Sequence, residues 1–599
     1  MVKIRKPFPE KNFFRRRFFV YFLLVFLLSA VSYLPAIKSP FSVVDDIQYI
    51  EQNKWIKEIS WENIRHIFSR PYHHNYLPVH LLNYMIDYSL WGENPSLFRA
   101  ENILWHVLSG CVFFLILKKI FDREIIAIIG TLFFVAHPAC VESVAWISER
   151  KNVLSQFFGL LSFWFYITRA DGRLRYLASV FFCLIAVFAK TSMLILPVVM
   201  IVYQWIFESV RNLKKLFVDK IPFILFAVGG GLTAMWAQDV ITEMSEVRGG
   251  GFLPTVLNVS VVWVRYLRMA FFPLNLSAGY KVVKWGVSLV SISALLFLLL
   301  LLVLAVRLAF SEGAGKYFSF GTIWFFVALF PVSNIFPLPV VLKDRYLYLP
   351  LIGLAIAFCG LMSFILRQRK ISSVPLCVLA ILCFVVLTAR NAYEWRTPIS
   401  TWRKAVRVAP NSAETNNVLG TAYQFAYQPE KMIEHKGIAL ALARSLPHDR
   451  VSVARMYLAD GKFKEAMVLG LKMKKALPNN PELLTTLGIS AYNLGELAKA
   501  RYFLSSALAF HSHDPLTYLG LALVSDAEGK TNEAIKFLNK SLILSPNMVD
   551  AHLKLAILLQ PTAPAEALEH FKKVITLAPH HPDRDRIEEV IRQLEDGPK

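Results

Sequence analysis

The chain is poor in cysteine, and its few cysteines are not arranged as a disulfide framework. Six occur in 599 residues, all within or beside strongly apolar segments of the first two thirds. The sequence has no CxxC pair and no Cys/His spacing typical of a metal site. Neither a disulfide-stapled domain nor a cysteine-bound metal is therefore expected. The six are Cys111, Cys140, Cys183, Cys359, Cys377 and Cys383.

Charged residues are also scarce, at 18% of the chain, whereas hydrophobic residues make up 55% and the mean hydropathy is +0.45. This composition is too apolar for an ordinary soluble protein. The apolar residues form blocks that approach the length needed to cross about 30 Å of hydrocarbon, and the shortest could be oblique or re-entrant. We predict about eleven spans, at 18–37, 97–117, 125–136, 153–168, 174–189, 193–207, 220–238, 286–306, 318–338, 346–366 and 374–389. A further stretch, 252–274, is interrupted by Arg265, Arg268 and Pro273 and is predicted to be interfacial.

The net charge of +22 follows membrane topology and does not indicate nucleic-acid binding. Residues 1–17 contain seven Lys or Arg, which favours a cytoplasmic N-terminus. No small-residue cleavage site follows Leu34, so the first block is predicted to be a retained anchor. An odd number of spans then leaves everything after Arg390 outside the cytoplasm. The short loops predicted to be inside all carry basic residues; they are 118–124, 169–175, 208–219, 307–316 and 367–370.

The last third repeats with a period of 34 residues, in frames that begin at 413, 447, 481, 515 and 549. Small residues at two fixed positions let antiparallel helix pairs approach closely, and prolines at the junctions end one pair before the next. This is the tetratricopeptide pattern, a helical solenoid that commonly binds extended peptide. A solenoid that only spaces or dimerises the protein is the alternative. The small residues are Gly420, Ala454, Gly488, Ala522 and Ala556, then Ala466, Ala500, Ala534 and Ala567, with Met432 in the irregular first repeat.

The outer loops contain the candidate chemistry, beginning with the adjacent pair Asp45 and Asp46 about ten residues beyond the first span. A carboxylate at the boundary of water and lipid can take a proton from an acceptor hydroxyl. A solvated loop is the alternative explanation. Basic residues on the same side could hold a lipid phosphate, although they could equally be interfacial side chains. The basic candidates are Arg150 and Lys151 in the loop 137–151, and Lys343 and Arg345 in the loop 340–350.

Other polar residues of these segments are further site candidates. His137 and Glu142 share the first basic loop, and Tyr346 lies in the second. Tyr76 lies in the loop 72–84 beside His73 and His74, two adjacent histidines that seldom chelate one ion. Asn102 and His106 share one face of the second span, where polar groups are costly and face other helices or a cavity.

Four runs resemble bacterial relatives of the transmembrane and tetratricopeptide-repeat O-mannosyltransferases, the TMTC family. They are HPACVESVAWISERKNVLSQFF at 137–158, RMAFFPLNLSAGY at 268–280, RYLYLPLIG at 345–353 and ARNAYEW at 389–395. The order of elements also matches over nearly the whole chain. The resemblance implies an all-α protein with a GT-C transmembrane domain, an acidic pair at Asp45 and Asp46, and phosphate-side residues at Arg150, Lys151 and Arg345.

The expected function is transfer of a mannose-like sugar from a polyprenyl-phosphate donor to a protein hydroxyl held by the solenoid. The reaction is expected to be inverting, on the outer face of an inner (plasma) membrane, and nothing in the sequence demands a metal. The alternatives are a non-catalytic membrane-anchored scaffold and a lipid-linked oligosaccharide ligase or polymerase. The predicted regions are a cytoplasmic tail (1–17), the catalytic domain (18–390), a connector (391–412), the repeats (413–582) and a C-terminal helix or tail (583–599).

Overall fold

The computed structural model of the chain is all-α, as predicted, with no β-strand among the residues it describes. Those are 11–73, 75–121, 123–210, 212–238, 251–281, 285–311, 313–333, 335, 341–367, 373–426, 428–443, 450–459, 461–474, 477–510, 514–578 and 583–595. The predicted tail residues 1–10, His74, the basic pair Arg369 and Lys370, and the junction prolines Pro447 and Pro579 lie outside them. The chain divides into two compact units, Met1–Met432 and Ile433–Lys599.

The first unit is a bundle of apolar helices joined by short loops and half-turns. Each of the eleven predicted apolar blocks coincides with one helix: α1, α4, α5, α7, α8, α9, α11, α13, α14, α15 or α16. Its helices are α1 (Lys11–Tyr33), α2 (Trp61–Ser69), α3 (Pro78–Trp91), α4 (Pro95–Ile120), α5 (Glu124–Val135), α6 (Val141–Ala145), α7 (Arg150–Ile167), α8 (Arg173–Ala189), α9 (Leu196–Phe207), α10 (Leu213–Val218), α11 (Ile221–Gln238), α12 (Phe252–Phe271), α13 (Leu289–Ala309), α14 (Ala314–Leu329), α15 (Pro350–Arg367), α16 (Ser373–Glu394), α17 (Pro398–Val408) and α18 (Ala413–Phe425).

Four helices are long and apolar enough to cross a membrane by themselves, among the residues described. They are Pro95–Ile120, Leu289–Ala309, Ala314–Val332 and Val374–Glu394. A fifth crossing would be the pair Glu124–Val135 and Pro138–Ala145, which is bent by 49°. The other apolar helices are shorter or less apolar, so the count of eleven stays a prediction.

The ends of the apolar helices gather in two places. Helices α4, α9 and α14 meet through aromatic contacts: Phe121 and Phe207 lie 4.3 Å and 5.6 Å from Tyr317. At the other end, Thr388 of α16 donates to the carbonyl of Ala136, which follows α5. We call the second place, which also carries Asp45, the Asp45 end. The place where Phe121, Phe207 and Tyr317 meet is called the opposite end. This antiparallel arrangement favours crossings that alternate in direction.

Helix α12 corresponds to the stretch predicted to be interfacial, and it is continuous through Arg265 and Arg268. It ends at Phe271, two residues before Pro273, because proline cannot continue a helix. Two of its polar anchors lie at the Asp45 end. The Tyr266 hydroxyl accepts from the backbone N–H of Lys343 at 3.2 Å, and the Ala270 carbonyl lies 2.8 Å from Nε2 of His137. Its interfacial position stays a prediction.

Helices α14 and α15 pack backbone to backbone, because glycine stands where they cross. A Cβ on Gly321 would meet the carbonyl of Gly353, and a Cβ on Gly353 would meet the carbonyl of Gly321. Small residues at such crossings let helices approach closely in membranes. The close packing orients the start of α15, and with it the preceding turn Asp344–Leu347 that bears Arg345.

The repeats form the predicted antiparallel helix pairs. The alanines at the two small positions, such as Ala500 and Ala522, are fully buried, and a Cβ on Gly488 would meet Leu504. Gly461, Gly495 and Gly529, spaced by 34 residues, end the first helix of three pairs with φ of 71°, 79° and 76°, a conformation that favours glycine. After α18 come α19 (Pro429–Ala443), α20 (Arg450–Ala459), α21 (Phe463–Lys474), α22 (Pro481–Asn493), α23 (Leu497–Ala509), α24 (Pro515–Ala527), α25 (Thr531–Leu544), α26 (Val549–Leu559), α27 (Pro564–Leu577) and α28 (Arg584–Glu595).

Candidate functional site

The two adjacent aspartates occupy opposite environments. Asp46 is fully buried. One of its oxygens accepts from the backbone N–H of Ser42 at 2.8 Å, and the other accepts from the backbone N–H of Ser148 at 2.9 Å and from its hydroxyl. Burial raises the pKa of Asp46 to about 6, although these hydrogen bonds oppose the shift. Asp46 therefore pins the loop after α1 to the segment before α7.

Asp45 faces the solvent-accessible side of the same loop, with 26% of its side chain exposed. Its backbone has φ of 65°, in the left-handed region that residues other than glycine seldom adopt. Burial would raise the pKa of Asp45, but the adjacent His73 side chain and the charges of Lys151 and Arg345 outweigh it and hold the pKa at about 2. Asp45 is the accessible carboxylate of the pair, and it is ionised at neutral pH.

Glu149 lies at the centre of a cluster of cations next to Asp45. Its carboxylate is 3.3 Å from Nζ of Lys151, 3.4 Å from Nε of Arg345 and 3.8 Å from Nζ of Lys190. Burial disfavours its charge, yet these three cations prevail and lower the pKa of Glu149. Glu149 therefore holds three cations together next to Asp45.

Arg345 joins this cluster to the start of α15. Its Nη1 donates to Glu142 at 2.8 Å, its backbone N–H donates to the same carboxylate at 2.8 Å, and its guanidinium lies over the ring of Trp146. Burial raises the pKa of Glu142, and Arg345 opposes the shift. The side chain of Tyr346 also lies beside this guanidinium.

Lys190 is a member of the site that the sequence interpretation missed. It follows α8, in the three-residue gap (190–192) between two predicted apolar blocks, and its Nζ donates to Oδ1 of Asn152. Burial, the largest cause, lowers the pKa of Lys190 to about 8, although Glu149 opposes the shift. A lone charge in so short a loop is the signal that could have revealed it.

A cleft with a basic side and an apolar side opens beside this cluster. Its cavity is small, about 20 Å³; its polar lining includes Arg345, Lys190, Asn152 and Gln156, whereas Met193, Val332 and Leu349 line its apolar part. The Oε1 of Gln156 is buried and has no hydrogen-bond partner among the described residues. The cleft combines the chemistry of a phosphate with that of an alkyl chain.

Arg150 lies apart from the cluster, although it precedes Lys151. Its fully buried guanidinium pairs with Asp87, lies 3.2 Å from Glu101 and donates to Asn102 at 2.7 Å. Burial lowers the pKa of Arg150 to about 10. All its partners belong to α3 and α4, so Arg150 and Asn102 join those helices to α7.

The remaining sequence candidates are bound elsewhere. His106 lies 2.7 Å from the Tyr348 hydroxyl within the bundle, and His137 caps the turn after α5, where its Nδ1 accepts from Ala139. The Tyr76 hydroxyl donates to the carbonyl of Phe68 at 2.7 Å. None of these three interactions involves the charged cluster.

Lys343 is almost buried and connects the site to the first repeat helix. Its Nζ donates to the carbonyl of Ala278 at 2.8 Å and lies 3.2 Å from the Glu414 carboxylate of α18. The neighbouring Asp344 accepts from the hydroxyl of Tyr280. The turn that bears Arg345 is thus attached to the beginning of the repeats.

A metal site is not evident in the part of the chain that the structure describes. No group of three or more His, Cys, Asp or Glu side chains could hold an ion there.

The comparisons with known proteins agree with the resemblance. No family model matches the chain. It is 22% identical over 423 residues to the protein O-mannosyl-transferase F38B6.6 of Caenorhabditis elegans, covering 66% of this chain and 59% of that protein. It is 21% identical to the human protein O-mannosyl-transferase TMTC3, covering 85% and 58%. The chain thus spans slightly less than three fifths of the length of these curated relatives. Its curated homologues include TMTC-family O-mannosyltransferases, as predicted, at 22% and 21% identity.

Similar solved structures cover the repeats. One is the tetratricopeptide protein TTC0263 of Thermus thermophilus, 20% identical, with a TM-score of 0.26, covering 30% of this chain and all of that one. Another is PilF of Pseudomonas aeruginosa, 17% identical, with a TM-score of 0.24, covering 32% and 86%.

Proposed function

We propose that this chain is an integral membrane glycosyltransferase of the GT-C type. It transfers a mannose-like sugar from a polyprenyl-phosphate donor to a protein hydroxyl on the outer face of the membrane. The observation that carries the proposal is the accessible, ionised Asp45 next to a cluster in which one glutamate faces three cations. The curated relatives are named O-mannosyl-transferases, which supports the sugar and the acceptor class.

The donor phosphate binds to Lys151, Lys190 and Arg345. Arg345 offers the fork of N–H groups that matches phosphate oxygens, and the two lysines act as point charges. The alkyl chain of the bound donor extends along the apolar lining of the cleft, past Met193 and Leu349. Arg150 does not contact the donor but positions Lys151, because its guanidinium fixes the start of α7, from which Lys151 projects.

In the transfer step the acceptor oxygen attacks the anomeric carbon and the bond from that carbon to the phosphate oxygen breaks. The electron pair of the broken bond leaves on the phosphate, where the cations stabilise the added charge. Asp45 takes the acceptor proton. A bound phosphate offsets the charges of Lys151 and Arg345, which otherwise hold the pKa of Asp45 at about 2, so donor binding makes Asp45 a stronger base. Asp46 holds Asp45 in place through Ser42 and Ser148.

The test is transfer in proteoliposomes, with radiolabelled polyprenyl-phosphate mannose as donor and membrane proteins from cells that lack the gene as acceptors. Asp45→Asn should reduce kcat by about 10²–10⁴-fold, the usual contribution of a general base, without reducing the amount of folded protein. Arg345→Lys should instead raise the KM for the donor, because the bidentate geometry is lost.

Wild-type turnover in Asp45→Asn would refute the catalytic proposal and favour a membrane-anchored scaffold. Activity with pyrophosphate-linked oligosaccharide, and none with the monophosphate donor, would favour a ligase or polymerase. Deletion of the repeats from residue 433 onward should remove transfer to native acceptors and spare donor binding. Full transfer by that truncated protein would exclude the solenoid as the acceptor-binding part.

A further inference from the structure

His73 and Asp45 form a pair whose backbone conformations are both unusual. Three non-glycine residues have positive φ in the part of the chain that the structure describes, and these two, at 47° and 65°, are among them. Their side chains face each other, with 3.8 Å between Nε2 of His73 and Oδ1 of Asp45. Left-handed backbone at residues other than glycine is unfavourable and tends to occur at functional sites.

The turn that carries His73 is attached to the loop that carries Asp45 at several points. The Tyr72 hydroxyl donates to the carbonyl of Gln48 at 2.7 Å, and the Asn75 amide donates both to the Tyr49 hydroxyl at 3.1 Å and to the carbonyl of His73 at 2.9 Å. The His73 ring stands edge-on to Tyr49 at 5.5 Å. The contacts between the two segments therefore hold the side chains of His73 and Asp45 facing each other.

The other charged neighbours of Asp45 are poorer proton acceptors than an imidazole, since Glu149 is held ionised by three cations that lower its pKa. Lys151 and Arg345 are cations already, and their charges favour the ionised form of Asp45. A proton taken from an acceptor must pass onward for Asp45 to be ready for the next turnover. Imidazole gains and loses a proton readily near neutral pH, and 39% of the His73 side chain is exposed to solvent.

We propose that His73 is the proton relay of the transfer reaction, receiving from Asp45 the proton that the acceptor hydroxyl gives up and releasing it to water. The inference rests on the proposed function. One proton moves from the acceptor oxygen to Oδ1 of Asp45, then to Nε2 of His73, while the neutral imidazole becomes a cation. Loss of that same proton from Nε2 to water restores the neutral imidazole and leaves Nε2 ready to accept the next one.

The test measures kcat and the donor KM of full-length His73 variants in the proteoliposome assay. His73→Gly suits the positive φ, removes the ring and leaves room for a small base. It should lower kcat by about 10²-fold, the lower part of the range for general acid–base catalysis, with KM unchanged, and added imidazole should restore much of the rate. His73→Asn also tolerates the backbone and should show the same loss.

His66→Asn is the matched control, because His66 belongs to the same outer segment but stacks on Trp55 at 3.5 Å. It should leave kcat unchanged. Full activity of His73→Asn, or a loss in His73→Gly that imidazole does not restore, would overturn the relay while the loss in Asp45→Asn keeps the proposed function. Full activity of Asp45→Asn would overturn both.

Discussion

The two ends of the apolar bundle hold their charges in different ways. At the opposite end Arg169 lies 2.7 Å from Glu208 and 3.7 Å from Asp219, and these side chains are 19–32% exposed. Their short loops are adjacent, so each charge finds a partner at the water boundary. At the Asp45 end, Glu149 and Glu142 are buried to within 1% and the cations around them are at most 17% exposed.

This difference indicates what each end is for. Taking charges out of water costs several kcal/mol per ion. A buried ion pair often stabilises the fold no more than well-packed hydrophobic residues of similar volume would. At the opposite end even the buried Lys220 pairs with Asp219, whose side chain is 30% exposed, so the acidic groups there stay in contact with water and can serve to anchor the loops. The Asp45 end bears that cost, because Lys151, Lys190 and Arg345 are held around the buried Glu149, and charges buried in this way are typical of functional sites.

The largest effect is expected from Arg150→Ala, at the Asp45 end. Removal of this guanidinium leaves Asp87 and Glu101 without their buried cation, which typically costs about 3–5 kcal/mol. The variant should be lost from the membrane or denature early in detergent, as measured by fluorescence-detected size exclusion after heating. Arg175→Ala, an exposed pair with Asp171, is the control. A stable Arg150→Ala variant with weakened donor binding would return Arg150 to the phosphate site.

A smaller effect concerns pH and Lys190. Because its pKa is lowered to about 8 from an ordinary 10.5, Lys190 loses its charge above pH 8 in the folded protein. kcat/KM for the donor should therefore fall with a midpoint near pH 8, and Lys190→Arg should move that fall to higher pH. Between pH 8 and 10.5 the unfolded chain binds more protons at this lysine than the folded one, so its contribution to stability rises with pH.

Because the contribution of Lys190 to stability rises with pH, deprotonation of Lys190 does not unfold the protein, and unfolding caused by it cannot explain a loss of activity at alkaline pH. The two measurements are the pH profile of kcat/KM and the melting temperature over the same range. An identical profile in Lys190→Arg would remove Lys190 from donor binding and leave Lys151 and Arg345 as the phosphate residues.

The smallest effect is expected at the opposite end. Arg169→Ala removes partly exposed pairs with Glu208 and Asp219, which are worth about 1 kcal/mol or less. Transfer by this variant should stay within about twofold of wild type, in the range expected for a partly exposed surface pair. A large loss of transfer with unchanged stability would break the comparison, since the opposite end would then take part in the reaction.

Much of the fold could be predicted from local patterns. The apolar blocks coincide with helices because a run of such residues is buried by a helix that satisfies its own backbone. The repeats were readable since the same small residues recur wherever two helices must touch, as at Gly488 and Ala522. The loops that carry Asp45, Lys151 and Arg345 were predicted to lie on one side of the membrane, and these three residues do lie together, around Glu149.

The division of roles within the site could not be predicted in this way. Asp45 and Asp46 are adjacent residues of the same type. Only the positions of Ser42 and Ser148 make Asp46 an anchor and leave Asp45 as an accessible base. Arg150 and Lys151 were equivalent candidates, yet one residue along a helix turns the side chain by about 100°, toward α3 and α4 in one case and toward Glu149 in the other.

The sequence by itself determined the class of the chain, its apolar helices, the period of its repeats and the loops that could carry chemistry, because these depend on composition and on spacing along the chain. Only the tertiary structure decided which charges share Glu149, that Lys190 joins them, and that His73 faces Asp45 across 28 residues of chain. Burial and distance in space set the pKa values and the partners of these groups, and neither quantity is written in the order of the residues.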